Sequence, residues 1–206
     1  MTEKTNKLPD FSSPPVVEVA LSLQFQELEG LRAHHMGLLW TKFRNEFSRV
    51  EEYAPIARVI ETFPAAKGPS RGMRFEGITQ PPVPRCWFLN EGGSELVQVQ
   101  QDRLIVNWRG DGNQEYPRYE HVESRFRTTL GAFRDFLRDE NIGELAPDQC
   151  EVTYVNHIHR CDVWSEHGEL DKVFTFVRAE YSDEFLSSPE SVRMSLDFVI
   201  PGEGQP

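Results

Sequence analysis

Three stretches of this sequence interleave apolar residues with directional hydrogen-bonding groups: Arg85 to Asn90, Glu95 to Gln101 and Leu104 to Arg109. Each alternates apolar and polar residues, and alternation sends successive side chains to opposite sides of a strand. Suppose Asn90 faces Glu95, and Gln101 faces Leu104 across an Asp102-Arg103 turn. One side then collects Cys86, Phe88, Val97, Val99, Leu104, Val106 and Trp108. That is a continuous core side, and a slip of one residue would scramble it. The other side sets Trp87 beside Gln98, Gln98 beside Asn107, and Leu96 beside Arg109. Glu18, Ser22, Gln24, Glu151, Thr153 and His157 join it where their strands pair nearby. Amide and guanidinium groups bind through oriented hydrogen bonds, and an indole offers a stacking surface. This pattern suits recognition of a small ligand, a peptide or a protein partner. The plain reading beside it is a solvated or helix-covered face, because antiparallel sheets commonly keep one wet side.

Two further clusters carry chemistry-bearing groups. Tyr116-Pro117-Arg118-Tyr119-Glu120-His121 opens a helical stretch. Arg118 and His121 are placed there to meet an anion or the polar sheet side. Equally, Pro117 in the first turn and Glu120 near the positive end of the dipole make an ordinary helix start. His157-Ile158-His159-Arg160-Cys161 alternates two histidines with a cysteine, a workable metal-ligand geometry on a strand. No further ligand is fixed nearby, so no metal and no cofactor are assigned. GxSxG, HExxH, P-loop and GxGxxG signatures are all missing. The expected function is therefore a non-enzymatic binding or protein-interaction module. The competing reading is a hydrolase or transferase that gathers His121, His157, Glu151 and Arg109 in one cleft.

The elements that position these residues follow from periodicity. Val16 to Phe25 alternates throughout and predicts a half-buried strand. Met36, Trp40, Phe43, Phe47 and Val50 recur every three or four residues, predicting a helix over about 31–49. Ile56 to Phe63 and Met73 to Ile78 are weaker strand candidates. Pro117 opens a long helix to about Asn141, striped by Val122, Phe126, Leu130, Phe133 and Leu137, with Gly143 as its stop. Cys150 to Ile158 predicts a strand, 169–178 a short helix, and Val192 to Ile200 a last strand. The fold class is α+β, a mainly antiparallel sheet with amphipathic helices on one face. Residues 1–15 read as a flexible segment, 16–200 as one domain and 201–206 as a tail. Val17-Glu18-Val19 and Cys150-Glu151-Val152, each followed by helical patterning, echo one another and place a candidate repeat boundary near 145.

Composition narrows the function classes. The chain has 206 residues, 38% of them hydrophobic, ample for a packed core. Its formal charge is -11, which opposes general nucleic-acid binding. Three cysteines without CxxC spacing argue against a disulfide framework. With no apolar run near the length of a membrane span and no signal-peptide core, a cytoplasmic location is expected. The oligomeric state is not fixed by these features.

Several motifs together carry a likeness. They are Pro14-Pro15-Val16-Val17-Glu18-Val19, Trp87-Phe88-Leu89-Asn90, Glu95-Leu96-Val97-Gln98-Val99-Gln100, Asn107-Trp108-Arg109, Tyr116-Pro117-Arg118-Tyr119-Glu120-His121 and Gln149-Cys150-Glu151-Val152-Thr153-Tyr154-Val155-Asn156-His157-Ile158. In this order, from about residue 8 to 200, the chain resembles a sporadically distributed bacterial protein family of unknown function. The resemblance implies a somewhat longer pattern, with more strand after Phe198. It implies no catalytic residues. The family's patchy distribution is like that of accessory or defence genes, an association only.

Overall fold

Ten alternating residues, Val16–Phe25, form β1, the strand around which the sheet is organised. Its inward series Val19, Leu21, Leu23 and Phe25 is buried. The computed structural model describes residues 11–58, 82–110, 115–178, 189–196 and 198. The chain divides into two compact units, 1–157 and 158–206.

In the first unit β1 is followed by α1 (Ala33–Phe43), β2 (Arg49–Tyr53), β3 (Arg85–Leu89), β4 (Glu95–Gln100), β5 (Arg103–Arg109), α2 (Tyr119–Asp139) and β6 (Pro147–Asn156). The six strands form one antiparallel sheet in the order β2-β3-β4-β5-β1-β6. Both helices pack on the same side. Met36 and Leu39 of α1 and Phe133, Phe136 and Leu137 of α2 share one core with Phe25, Phe88, Val97, Val99, Leu104 and Val106. Each fully buried side chain of this size contributes roughly 1.5–3 kcal/mol. A second cluster joins Val19, Leu21 and Trp108 to Val122 of α2. The predicted α+β class and the sorting of the middle strands into core and polar sides are what the structure has.

Local details depart from the sequence reading. The first helix ends at Phe43, not near 49, and Arg49–Tyr53 is the edge strand β2. Trp40 explains the early stop: its indole N–H donates to the Phe47 carbonyl at 2.8 Å, folding the chain back after one turn. Phe47 is thereby buried outside any helix, while Val50 is exposed on β2. The second helix ends in a Schellman arrangement. Asn141 has φ 53°, and the amides of Ile142 and Asn141 donate to Leu137 and Arg138. Asn141, not Gly143, is the stop residue. Ile56 to Arg58 form no strand; the remainder of that candidate and all of 73–78 lie outside the described residues.

The turn between β4 and β5 is Gln101-Asp102, closing on Gln100 opposite Arg103. The sequence reading puts it one residue later, so the ladder is moved by two: Gln98 faces Ile105 and Leu96 faces Asn107. An even shift keeps every side chain on its expected side. The end of β1 sets the turn, because the Leu28 and Phe25 amides donate to the carbonyls of Gln101 at 2.9 Å and Asp102 at 3.0 Å.

The two echoing segments lie side by side. β6 pairs with β1, with Ala20 opposite Thr153 and Leu21 opposite Val152. In the second unit, where an α-helix over 169–178 is expected, the described residues form a 3-10 helix, His167–Lys172. Cys161 and Trp164 form an isolated bridge there. Residues 192–196 form no strand; 197, 199 and 200 lie outside the described residues. No helix among the described residues is long and apolar enough to cross a membrane.

Candidate functional site: the polar side of the sheet

Strand pairing builds this side in rows. Glu51, Trp87, Gln98, Ile105, Ser22 and Glu151 form one row from β2 to β6. Leu89, Leu96, Asn107, Ala20 and Thr153 form the next. Gln100, Arg103, Gln24 and Gln149 form a third, with the Tyr53–Arg85 pair at its β2–β3 end. Arg109 sits opposite Glu18. Trp87, Gln98, Asn107 and Arg109 therefore share one side, as their alternation predicts.

This side is not a wet face. Gln24 and Gln100 are 3% exposed, Asn107 4%, Gln98 5% and Arg103 8%. Polar groups taken this far from water need partners, since an unpaired one costs about 1–3 kcal/mol. Most have them. Arg85 Nη1 donates to Gln98 Oε1 at 3.2 Å, and Gln98 Nε2 donates to Asn107 Oδ1 at 2.8 Å. Asn107 Nδ2 then donates to Glu18 Oε1 at 2.6 Å, which also takes Arg109 Nε at 3.4 Å. This relay runs from β3 to β1 without a gap. Gln100 pairs both ends of its amide with the Ile56 backbone, at 2.9 and 3.0 Å, and so ties the segment after β2 to the sheet. Arg103 Nη2 donates to Gln24 Oε1 at 2.5 Å. Gln24 Nε2 donates to Asp148, which is ion-paired with Arg58.

Trp87 is enclosed by its neighbours. The Arg109 and Arg85 guanidinium carbons lie 4.7 and 5.3 Å from its ring, and the Tyr53 ring centroid lies 4.3 Å away. These are cation–π and aromatic contacts that hold the indole in place. The stacking surface expected from the sequence is thus taken by the protein's own side chains. What the indole keeps is its N–H: Trp87 Nε1 is buried without a hydrogen-bond partner, and so are Arg85 Nε, Arg103 Nε and, at the Asp148 end, Arg58 Nε. Burial pushes the Arg85 pKa down from its ordinary value, and the charge of Arg103 pushes the same way. Tyr53 donates to Glu51 at 2.6 Å, which holds the tyrosine pKa above and the carboxyl below their usual ranges.

The other predicted residues are dispersed. Glu151 is on the polar side but exposed on β6, where it accepts from the Thr153 hydroxyl. His157 comes directly after β6, its amide donating to Pro15. His121 is on the helix-bearing side, 3.1 Å from Glu95, the residue opposite Trp108. Arg118 caps α2 at φ 74°, a backbone conformation that residues with a side chain rarely adopt. The expected cleft of His121, His157, Glu151 and Arg109 is therefore divided: His121 stands on one side of the sheet, and Arg109 and Glu151 stand on the other. Arg118 and His121 do not join the Trp87 group either, because Pro117 feeds a helix that packs on the core side.

Sequence reasoning passes over Arg103 and Tyr53. It gives Arg103 to a turn, and Tyr53 lies on a strand whose pattern is not apolar enough to read. The signal for Arg103 is its even spacing from Ile105, Asn107 and Arg109. Compared with protein-family models, curated proteins and solved structures, this chain matches none.

Proposed function

We propose that this protein is a non-enzymatic binding protein, and that the polar side of its sheet around Trp87, Gln98, Asn107 and Arg109 holds a small ligand or a segment of a protein partner. One observation carries the reading. Three strong donors, Trp87 Nε1, Arg85 Nε and Arg103 Nε, are buried and unpaired on the side where the amides of Gln24, Gln98, Gln100 and Asn107 all find partners. Buried unpaired donors cost stability, and such costs are kept where function needs them. The division of the histidine, glutamate and arginine between the two sides of the sheet counts against acid–base catalysis in a shared cleft, which requires groups within hydrogen-bond reach. The resemblance to the sporadic bacterial family adds an accessory, defence-type role inside the cell to this proposal.

The test is native mass spectrometry and affinity recovery from host extract, comparing the wild type with a folded Trp87→Ala/Arg109→Ala double variant. The wild type should retain a ligand or partner that the double variant loses. Equal retention by both would end the proposal.

A further inference from the structure

We propose that the group bound on this side is a compact oxyanion, a phosphate or a carboxylate, held between Arg85 and Arg103 with the Trp87 N–H as a third donor. The inference rests on the binding reading and supplies its ligand chemistry. Arg103 is more than nine-tenths buried and spends Nη2 on Gln24, leaving Nε unpaired. Arg85 spends Nη1 on Gln98 and likewise leaves Nε unpaired. Their strands, β3 and β5, flank β4, so their backbones are about 10 Å apart at the usual strand spacing. Gln100 of β4 faces Arg103 between those strands with its amide already bonded to Ile56 and Asp102, so the anion is placed beside it, against the unpaired Nε edges of the two guanidiniums.

Charge strengthens the case. Among the described residues neither Arg85 nor Arg103 touches a carboxylate. The acids of this side are engaged elsewhere: Glu18 by Asn107 and Arg109, Asp148 by Arg58 and Gln24, Glu51 by Arg49 and Tyr53, Asp102 by Gln100, and Glu151 by Thr153. Two desolvated cations on one face repel each other, and a bound anion is the partner that removes the penalty. Guanidinium forks match oxyanion geometry. With Tyr53, Arg85 and Arg109 around its ring, Trp87 offers a ligand its N–H and not a stacking face.

Thermal unfolding of the full chain tests this, in sodium phosphate, sodium acetate and sodium chloride at matched ionic strength. A saturable rise in Tm of about 5 °C is expected in phosphate or acetate over chloride, at concentrations well above Kd. The arm that responds identifies the oxyanion. Arg103→Gln should abolish the response, and Arg103→Lys, which keeps the charge and loses the fork, should weaken the affinity about tenfold or more. Should the glutamine variant not fold, the lysine variant and Arg85→Lys carry the test by calorimetric titration with phosphate and acetate. Equal Tm in all three salts, or unchanged affinity in the lysine variants, overturns the proposal. A wild type that retains a neutral ligand lost by Trp87→Ala/Arg109→Ala, with no oxyanion response, overturns the oxyanion while leaving the binding reading intact.

Discussion

Replacing Asn107 with alanine asks whether the polar side of the sheet is a dry network or an ordinary wet face. Asn107 is 4% exposed and holds the middle of the relay, accepting from Gln98 at 2.8 Å and donating to Glu18 at 2.6 Å. A neutral hydrogen bond contributes about 0.5–1.5 kcal/mol and one to a charged group about 1.5–3 kcal/mol. Glu18 keeps Arg109 and is 28% exposed, so the second figure is discounted toward its lower end. Gln98, at 5% exposure, is left with an unpaired amide donor and no water to replace the partner. The sum is a loss of about 2–3 kcal/mol, or roughly 5–10 °C in Tm for a chain of this size.

Urea unfolding followed by far-ultraviolet circular dichroism measures the loss, with the m value as a check that the denatured state is unchanged. The cycle with Gln98→Ala sharpens it. The double variant should lose less than the sum of the single losses, by about 0.5–1.5 kcal/mol, because both remove the same bond. A loss below about 0.5 kcal/mol for Asn107→Ala, with additive singles, is the behaviour of surface polar groups. That result would refute the claim that this side is closed to water.

Three further outcomes rest on particular residues. Arg125 bridges Glu46 at 2.6 Å and Glu95 at 2.8 Å, tying α2 to β4 and to the segment after α1. Its side chain is 31% exposed, so Arg125→Met should cost only about 1 kcal/mol, and less still in about 1 M salt than at low salt, measured by urea unfolding. Cys86 is buried while Cys150 and Cys161 are exposed, so Ellman's reagent should consume two thiols quickly in the native protein and the third only on unfolding. Burial, with a smaller push from Glu52, raises the Cys86 pKa from 9.0 to about 11. A raised folded-state pKa gives stability that is complete below pH 9 and lost as pH climbs through 11. The wild type should therefore lose roughly 2–3 kcal/mol over that window that a Cys86→Ala variant does not lose, as read from unfolding at each pH.

How much of this is legible in the sequence depends on how strongly each residue's surroundings are local. β1 and the three middle strands read correctly because every second residue is a large apolar group, and that alternation has one economical solution. β2 does not read: Arg49-Val50-Glu51-Glu52-Tyr53 is an exposed edge, and Phe43, Phe47 and Val50 happen to continue the helical spacing of α1. The stop after Phe43 depends on a hydrogen bond from Trp40 to Phe47, which periodicity does not encode. The β4–β5 turn reads one residue out of place because the donors that fix it come from the end of β1 and the segment just after it, some seventy-five residues away. Burial of the polar side is illegible for a deeper reason. Glutamine and asparagine have the same alternation whether they face water or one another, and the crossing of the Ile56 segment over Gln100 is a tertiary contact that alternation does not encode.

Net charge is the place where composition and structure pull apart most. A formal charge of -11 speaks against partners that read the whole surface, such as a nucleic-acid backbone. It says little about a buried group, because fields of exposed charges are screened over about 8 Å at physiological salt. On the polar side of the sheet arginines and acids are near balance. Arg58, Arg85, Arg103 and Arg109 gather there, and the nearby acids are already bonded to other members of the network. The two scales predict different salt responses. A long polyanion would be repelled by the acidic exterior and weakened with every phosphate it had to place. A compact oxyanion enters as a single charge, so its affinity should fall with salt only as steeply as about one or two contacts require. A steep salt dependence would therefore argue for an extended charged partner and against a small anion held by Arg85 and Arg103, whatever its affinity.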